Sequence, residues 1–340
     1  MSGITASPDS INPLYFFREP GYDGRVSTIK DIAKAAGVGI GTVSRVLNGS
    51  PSVSDETRRR VEDAVAELGY VPNAAARQLA SGGHDTRLIG VLMPHFTHPF
   101  YFRILRGIHR FLAERDVDMI LFNRGQNPSL ALNRIMQEPL TGLLVLSHPL
   151  ESAEEERLSR KGIRYCLVDY RREGARGVSI DNEEGGRIAA RYLAGRGCAR
   201  FGYLGAAGNF QQQEDRLRGF TLELEARGKD APVVRYSGAG VYAPDACRAL
   251  ITEDGVDGIF FFSDELVLET AAVLDEQGSS LPVIGYDDID ASRYVGLTTV
   301  RQPIEDLGYE GARILLDGAD ERTVIAPTLV ERRPHPTVRE

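Results

Sequence analysis

Residues 29–48 read Ile29-Lys30-Asp31-Ile32-Ala33-Lys34-Ala35-Ala36-Gly37-Val38-Gly39-Ile40-Gly41-Thr42-Val43-Ser44-Arg45-Val46-Leu47-Asn48. Thr28 ahead of them, with Asp31 three residues on, has the form of a capping box. Ile29, Ile32, Ala33 and Ala36 then recur at the spacing of one buried helix face. Gly37-Val38-Gly39 breaks the pattern, and a second helix over residues 40–47 turns Val43, Val46 and Leu47 inward. Two short helices about a glycine-bearing turn form a helix-turn-helix. Small Ala33 and Ala36 let the second helix cross closely, and Gly37 supplies the backbone freedom for the turn. Burying Val43, Val46 and Leu47 leaves Ile40, Gly41, Ser44, Arg45 and Asn48 on the outer face. Such a face can enter a major groove, where arginine is the favoured bidentate partner of guanine. Thr42 and Ser44 hydroxyls can reach phosphate oxygens. The same pattern also fits a plain three-helix bundle that meets no nucleic acid.

Working outward, residues 48–51 are a loop, and Ser54 caps a third helix with acidic Asp55 and Glu56 in its first turn. Its apolar stripe is Val61, Ala64, Val65 and Leu68. Arg58-Arg59-Arg60 reads equally as a solvated face or a phosphate contact. Residues 27–80 carry seven basic and six acidic side chains, so placement rather than total charge decides any nucleic-acid site. Residues 69–73 end the third helix, 74–80 favour a brief helix, and 81–84 read as a linker. Residues 1–26, with Pro8, Pro13, Pro20 and Gly21, show no periodicity and read as a disordered tail.

Beyond residue 87 short apolar runs alternate with longer amphipathic segments. Strands are expected at 88–93, 119–122, 143–146, 165–168, 201–204, 258–262 and 282–286. Helices are expected at 100–114, 183–195, 214–227 and 266–277, among others. This alternation implies parallel sheets with both faces covered. About 250 residues of it exceed one compact core, which points to two side-by-side α/β lobes.

Composition narrows the classes. Of 340 residues, 42% are hydrophobic and 26% charged, which excludes collagenous and wholly disordered chains. The greasiest run, Ile259-Phe260-Phe261-Phe262, is strand-sized and far short of the roughly 20 apolar residues that cross a bilayer. The net charge of −8 argues against a surface coated with nucleic-acid-binding cations but leaves room for a local basic site. Cys166, Cys198 and Cys247 lie far apart with no CxxC, as expected of buried thiols in a reducing cytoplasm. The histidines lack metal-ligand spacing, no Ser–His–Asp arrangement is evident, and no cofactor is expected. The glycine-rich run 202–208 lacks the strand–turn–helix context of a dinucleotide loop.

At this point the residues resemble a known family. Asp31-Ile32-Ala33, Ala36-Gly37-Val38, Thr42-Val43-Ser44-Arg45-Val46-Leu47-Asn48, Val53-Ser54, Leu68-Gly69-Tyr70 and Pro72-Asn73 are similar to the DNA-binding headpiece and hinge of lac-repressor-like (LacI/GalR) transcription regulators. The order of the remaining segments follows the same family over residues 27–334. The resemblance implies an N-terminal all-α helix-turn-helix headpiece (27–70), a hinge helix and linker (71–87) and an α/β two-lobe periplasmic-binding-protein-like effector domain (88–334). Lobe 1 is expected at 88–181 and 303–322, lobe 2 at 182–302 and 323–334, with 335–340 a tail. It also implies a homodimer on a near-palindromic double-stranded DNA operator, contacted through Thr28, Ile40, Gly41, Thr42, Ser44, Arg45 and Asn48. From the hinge come Asn73, Ala76 and Leu79, with Leu79 as a minor-groove wedge. Family members usually carry serine at position 39 and a larger side chain at 41. Gly41 costs about 1 kcal/mol of helix propensity against alanine and removes one reader of a base edge, shifting specificity to Arg45, Ile40 and DNA shape.

For the large domain, loops after strands that pair a polar group with an aromatic suit sugar or purine recognition. The resemblance selects Phe100, Tyr101, Asn123, Asp169, Arg216, Ser263, Asp287 and Gln302 as the effector-binding set, with a sugar or related metabolite as effector. The main expectation is a cytoplasmic, ligand-responsive repressor, not an enzyme. Alternatives are the same regulator governed by a protein co-regulator, or a solute receptor or sugar-acting enzyme on the same fold.

Overall fold

The computed structural model describes residues 27–47, 50–70, 88–94, 96, 98–125, 127–238, 240–276, 281–318 and 322–332. It divides into two compact units, 1–85 and 86–340. The hinge, the two tails, Asn48, Asn73, Ala76 and Leu79 lie outside the described residues.

In the first unit, α1 (Ile29–Ala35), α2 (Ile40–Leu47) and α3 (Asp55–Glu67) enclose a small core. That core is Ile32, Ala33, Ala36, Val43, Val46, Val61 and Ala64, with Ile29 and Leu47 half-buried at its margin. Thr28 caps α1: its N–H and its hydroxyl both donate to Asp31 Oδ2, at 2.8 and 2.7 Å. Gly37 takes φ +66°, the left-handed turn expected between the helices. Ser54 Oγ accepts from Thr57 N–H at the start of α3. Of the arginine run, Arg58 has a structural task, since its Nη2 donates to the Ser50 carbonyl at 2.7 Å and ties α3 to the preceding loop. Arg59 and Arg60 are exposed.

The second unit contains two six-stranded sheets. Lobe 1 holds β1 (Leu88–Met93), β2 (Asp118–Asn123), β3 (Gly142–Leu146), β4 (Arg164–Val168), β5 (Gly177–Ile180) and β11 (Arg322–Ile325), in the order β11-β5-β4-β3-β1-β2, all parallel. Lobe 2 holds β6 (Phe201–Ala206), β7 (Val233–Ser237), β8 (Gly258–Phe261), β9 (Val283–Asp287), β10 (Thr299–Arg301) and β12 (Thr328–Val330), in the order β12-β10-β9-β8-β6-β7. Only β12 runs antiparallel to its neighbour. Helices α4 (Pro99–Ala113), α5 (Pro128–Ile135), α6 (Ser152–Lys161) and α13 (Ile304–Asp317) cover lobe 1. The other helices, α7 (Asn182–Gly195), α8 (Gln211–Ala226), α9 (Ala243–Thr252), α10 (Asp264–Glu269), α11 (Ala271–Glu276) and α12 (Asp290–Tyr294), belong to lobe 2. Each sheet separates two apolar layers, so its central strands are buried on both faces.

The chain crosses between lobes after β5, after β10 and between β11 and β12. The last crossing corrects a boundary expected after residue 322, because Arg322–Ile325 pairs in register with Gly177–Ile180 of lobe 1. A four-residue strand of alternating exposure is too short for its sheet to be read from sequence. The helix expected over 266–277 is two helices, α10 and α11. Thr270 between them turns its Oγ1 back to the Leu266 and Val267 carbonyls, both at 3.0 Å, a local bond that competes with the helix ladder. Helices α4 and α13 approach at Gly107 and Gly308, where an added Cβ would fall 1.8 Å from the Glu305 carbonyl oxygen and 2.0 Å from that of Ile104. That contact locks the returning helix α13 onto lobe 1.

Candidate DNA-reading helix and interlobe polar site

Helix α2 buries Val43 and Val46 and exposes Ile40, Gly41 and Arg45, while Thr42 and Ser44 are half-buried. Arg45 Nε donates to the Gly41 carbonyl at 3.2 Å, so the guanidinium lies along the outer face of its own helix. The outer face expected from spacing is therefore present as far as Leu47. Thr28 is exposed, and its hydroxyl hydrogen is committed to Asp31.

In the large unit, carboxyl ends of parallel strands from both lobes carry a buried polar cluster. Loops at this end of an open α/β sheet are where ligands bind, because the following helix N-termini and strand ends converge there. Four of the five described non-glycine residues with positive φ lie at such ends: Ser147 (+57°), Asp169 (+60°), Asp287 (+109°) and Asp288 (+56°). Backbone held in these regions costs of order 1–3 kcal/mol per residue and concentrates at functional sites.

From lobe 1, Asp169 follows β4. Its Oδ2 accepts from Ser147 Oγ at 2.7 Å and from Gln212 Nε2 at 3.1 Å. Its Oδ1 is buried with no hydrogen-bond partner. Burial raises the Asp169 carboxyl to about 6, opposed by the Ser147 bond and the Arg216 charge. From lobe 2, Arg216 on α8 is almost wholly buried, its Nε donating to Asn182 Oδ1 (2.8 Å) and its Nη1 to the Phe262 carbonyl (2.7 Å). Its guanidinium carbon stands 3.6 Å from the Tyr286 ring centroid and 4.7 Å from that of Phe262. Such stacking suits arginine and not lysine. Asp287 ends β9, with Oδ1 4.0 Å from Arg216 Nη1 and accepting from Gln302 Nε2. Burial pushes its carboxyl to about 7 despite the Arg216 charge. Gln302 is fully buried, and its Oε1 has no partner. Two buried acceptor oxygens, one from each lobe, thus await donors, and an unmade buried hydrogen bond costs roughly 1–3 kcal/mol.

The remaining expected residues divide. Phe100 and Tyr101 are buried at the start of α4 with rings 5.4 Å apart, edge to face. Burial pushes the Tyr101 hydroxyl to about 12, so it stays a neutral donor. Ser263 caps α10 by accepting from Leu266 N–H at 3.4 Å. Asn123 departs from expectation. It is exposed at the end of edge strand β2, and its Oδ1 accepts from Gly125 N–H at 2.8 Å, closing a turn on itself. Three strand spacings, about 14 Å, separate that edge from β4, so Asn123 does not join the cluster. Ser147, the residue after β3, is the side chain that stands beside Asp169.

Run 202–208 does lie between a strand and a helix, against expectation, since β6 ends at Ala206 and α8 opens at Gln211, and the three glutamines Gln211-Gln212-Gln213 do work that sequence reading missed. Gln211 exchanges both amide bonds with the Arg171 backbone (2.7 and 2.8 Å), Gln212 holds Asp169, and Gln213 bonds Ala206 N–H and C=O (2.8 and 3.0 Å). Three successive amides at a strand-to-helix turn were the available signal. Further contacts join the lobes: His98 Nε2 to Glu265 Oε2 at 2.9 Å, Arg103 Nη1 to the Asp288 carbonyl at 2.9 Å, and Arg171 to Asp215 at 3.1 Å. Among the described residues no cluster of His, Cys, Asp and Glu is arranged for a metal ion, and no helix is long and apolar enough to cross a membrane.

Comparison with known proteins settles the family. Residues 28–73 match the model for bacterial regulatory proteins, lacI family, and residues 190–340 match a periplasmic binding protein-like domain. The HTH-type transcriptional regulator CelR of Thermobifida fusca is 33% identical over 93% of this chain and 98% of its own. The chain belongs to the lacI family. The ribose operon repressor of Bacillus subtilis is 31% identical over 90% of this chain and 95% of its own. A solved complex of the transcriptional regulator CelR with cellobiose superposes with a TM-score of 0.65 at 30% identity, covering 91% of this chain and all of that one. The headpiece plus two-lobe architecture read from sequence is thereby established, and the lacI-family relatives are regulators of transcription rather than enzymes.

Proposed function

We propose that this lacI-family regulator is a cytoplasmic, homodimeric repressor that binds a near-palindromic operator and answers to a sugar or sugar derivative held between its lobes. The observation that carries the effector half is the pair of unsatisfied buried acceptors, Asp169 Oδ1 and Gln302 Oε1, around the stacked Arg216 and Asp287. Hydroxyl groups both donate and accept, so a polyol ring satisfies carboxylates and guanidinium together. The cellobiose held in the CelR complex and the likeness to the ribose operon repressor support a carbohydrate. The proposed effector set is Phe100, Tyr101, Ser147, Asp169, Gln212, Arg216, Ser263, Asp287 and Gln302. The proposed DNA set is Thr28, Ile40, Gly41, Thr42, Ser44, Arg45 and Asn48, with Asn73, Ala76 and Leu79 from the hinge.

A ligand that prefers one lobe arrangement shifts the hinge only by its differential affinity for the two states. A hinge helix under ~12 residues is marginal alone and forms when two copies pack on DNA. The deciding experiment selects duplexes from a random pool with the full chain, with and without cellobiose, ribose and galactose. A palindromic motif whose retention changes with one sugar is the expected result; no enrichment over random duplex refutes the proposal. Leu79→Ala should bind the selected operator with a smaller bend, seen as a reduced change in energy transfer between end labels; an unchanged bend removes Leu79 as the wedge.

Effector affinity should depend on pH. Sugar hydroxyls that donate to Asp169 and Asp287 favour the ionised carboxylates, lowering their bound-state pKa values from about 6 and about 7. Affinity therefore rises with pH from 5 and levels above 7, by at most about tenfold per unit for each coupled proton. The raised pKa of His98, caused first by its bond to Glu265, acts oppositely. His98 carries its full charge below 6.5 and loses it as pH rises through its raised folded value, which weakens the bond. Titration calorimetry on wild type and Glu265→Gln separates the two: the carboxylate-driven rise persists in the variant. A flat profile in both contradicts the ionised-acceptor role.

A further inference from the structure

One large apolar side chain of helix α2 is turned to solvent. Ile40, the first residue of α2, keeps 46% of its surface exposed and lies outside the headpiece core. On either side stand Gly39 and Gly41, and a Cβ at either position would meet nothing within 4 Å. The isoleucine is therefore an isolated apolar knob on a bare stretch of backbone. Its β-branch restricts χ1, so its methyl surface is held in place before any contact forms. One helical turn on, Ser44 lies on the same side, with Arg45 on the adjoining exposed face.

Resting on the DNA-binding reading, we propose that Ile40 reads the C5-methyl group of a thymine in each operator half-site. Isoleucine has no donor or acceptor, so it cannot pair with the nitrogen and oxygen atoms of a base edge. The apolar feature that an unmodified major groove offers is the thymine methyl. The missing side chains at 39 and 41 let the backbone approach the groove floor, bringing a short aliphatic side chain within reach of that methyl.

The test starts from the operator selected by the full chain. Each thymine is replaced singly by deoxyuridine, which removes the methyl and keeps every hydrogen-bonding group. Binding is then measured at fixed salt. Loss of one buried methyl is expected to weaken binding about fourfold at one thymine per half-site, and about fifteenfold when both half-sites are changed. Ile40→Ala, an exposed change with an unaltered melting curve, should bind thymine and deoxyuridine operators alike, and Ile40→Val should keep most of the difference. Indifference of the wild type to every deoxyuridine, or persistence of the effect in Ile40→Ala, overturns the assignment. Failure to enrich any duplex refutes the DNA-binding reading itself, and this assignment with it.

Discussion

Asp287→Asn should lower effector affinity by about 10- to 100-fold, the value of a hydrogen bond to a charged acceptor in a buried site. The native carboxylate is almost fully buried, accepts from Gln302 and faces Arg216 at 4.0 Å. An amide keeps the shape but replaces one acceptor oxygen by a donor, so a ligand hydroxyl that donated to it meets a second donor. Asparagine is chosen over alanine because φ here is +109°, a conformation that non-glycine residues other than Asn and Asp rarely adopt. The cooperative melt should survive, since the substitution also removes a carboxylate whose burial resists ionisation. Operator affinity without effector should stay within about twofold, the headpiece being a separate compact unit. Calorimetric titration with the sugar that changes operator retention measures the first quantity, and fluorescence anisotropy on labelled operator the second. An unaltered effector affinity would remove Asp287 from the site.

Arg45→Ala should cost about 1–3 kcal/mol of discrimination between the selected operator and random duplex, relaxing preference at one base pair per half-site. The side chain is exposed and its Nε–H bond stays within its own helix, so the loss is not a folding effect. Lysine at the position should recover only part of the discrimination, because it lacks the fork that grips two acceptors of guanine. Competition anisotropy at one fixed salt concentration gives the ratio. Equal loss on operator and random duplex would make Arg45 a phosphate contact and leave base reading to other side chains.

The two units differ in how far they were legible. The headpiece was read almost entirely from residues 28–68, because each of its signals is local. A cap, a left-handed glycine and two or three inward aliphatics per helix act within a few residues of one another, and the structure shows Ile32, Val43, Val46 and Val61 buried as their spacing requires. Seven strands of the large unit were placed within two residues, the central ones because they are runs of apolar side chains buried on both faces and edge strand β2 because Met119-Ile120-Leu121-Phe122 is an apolar run. The unread strands, such as β10 with three residues and β12 with three, are too short to show a period.

Sequence by itself determined the order of domains, the helix-turn-helix with its outward Ile40 and Arg45, and the alternation that builds two parallel sheets, while the family resemblance pointed to Asp169, Arg216, Asp287 and Gln302. Tertiary structure alone decided which polar residues meet. Strand order puts Ser147, not Asn123, beside Asp169; pairing of β11 with β5 sends residues 322–325 to lobe 1; and Gln212 crosses between lobes to hold a carboxylate. Those outcomes depend on neighbours 22 to 145 positions away along the chain, and separation of that kind leaves no local pattern. Contacts that close only when two distant segments arrive together are paid for in chain entropy and settled by the packing of the whole domain.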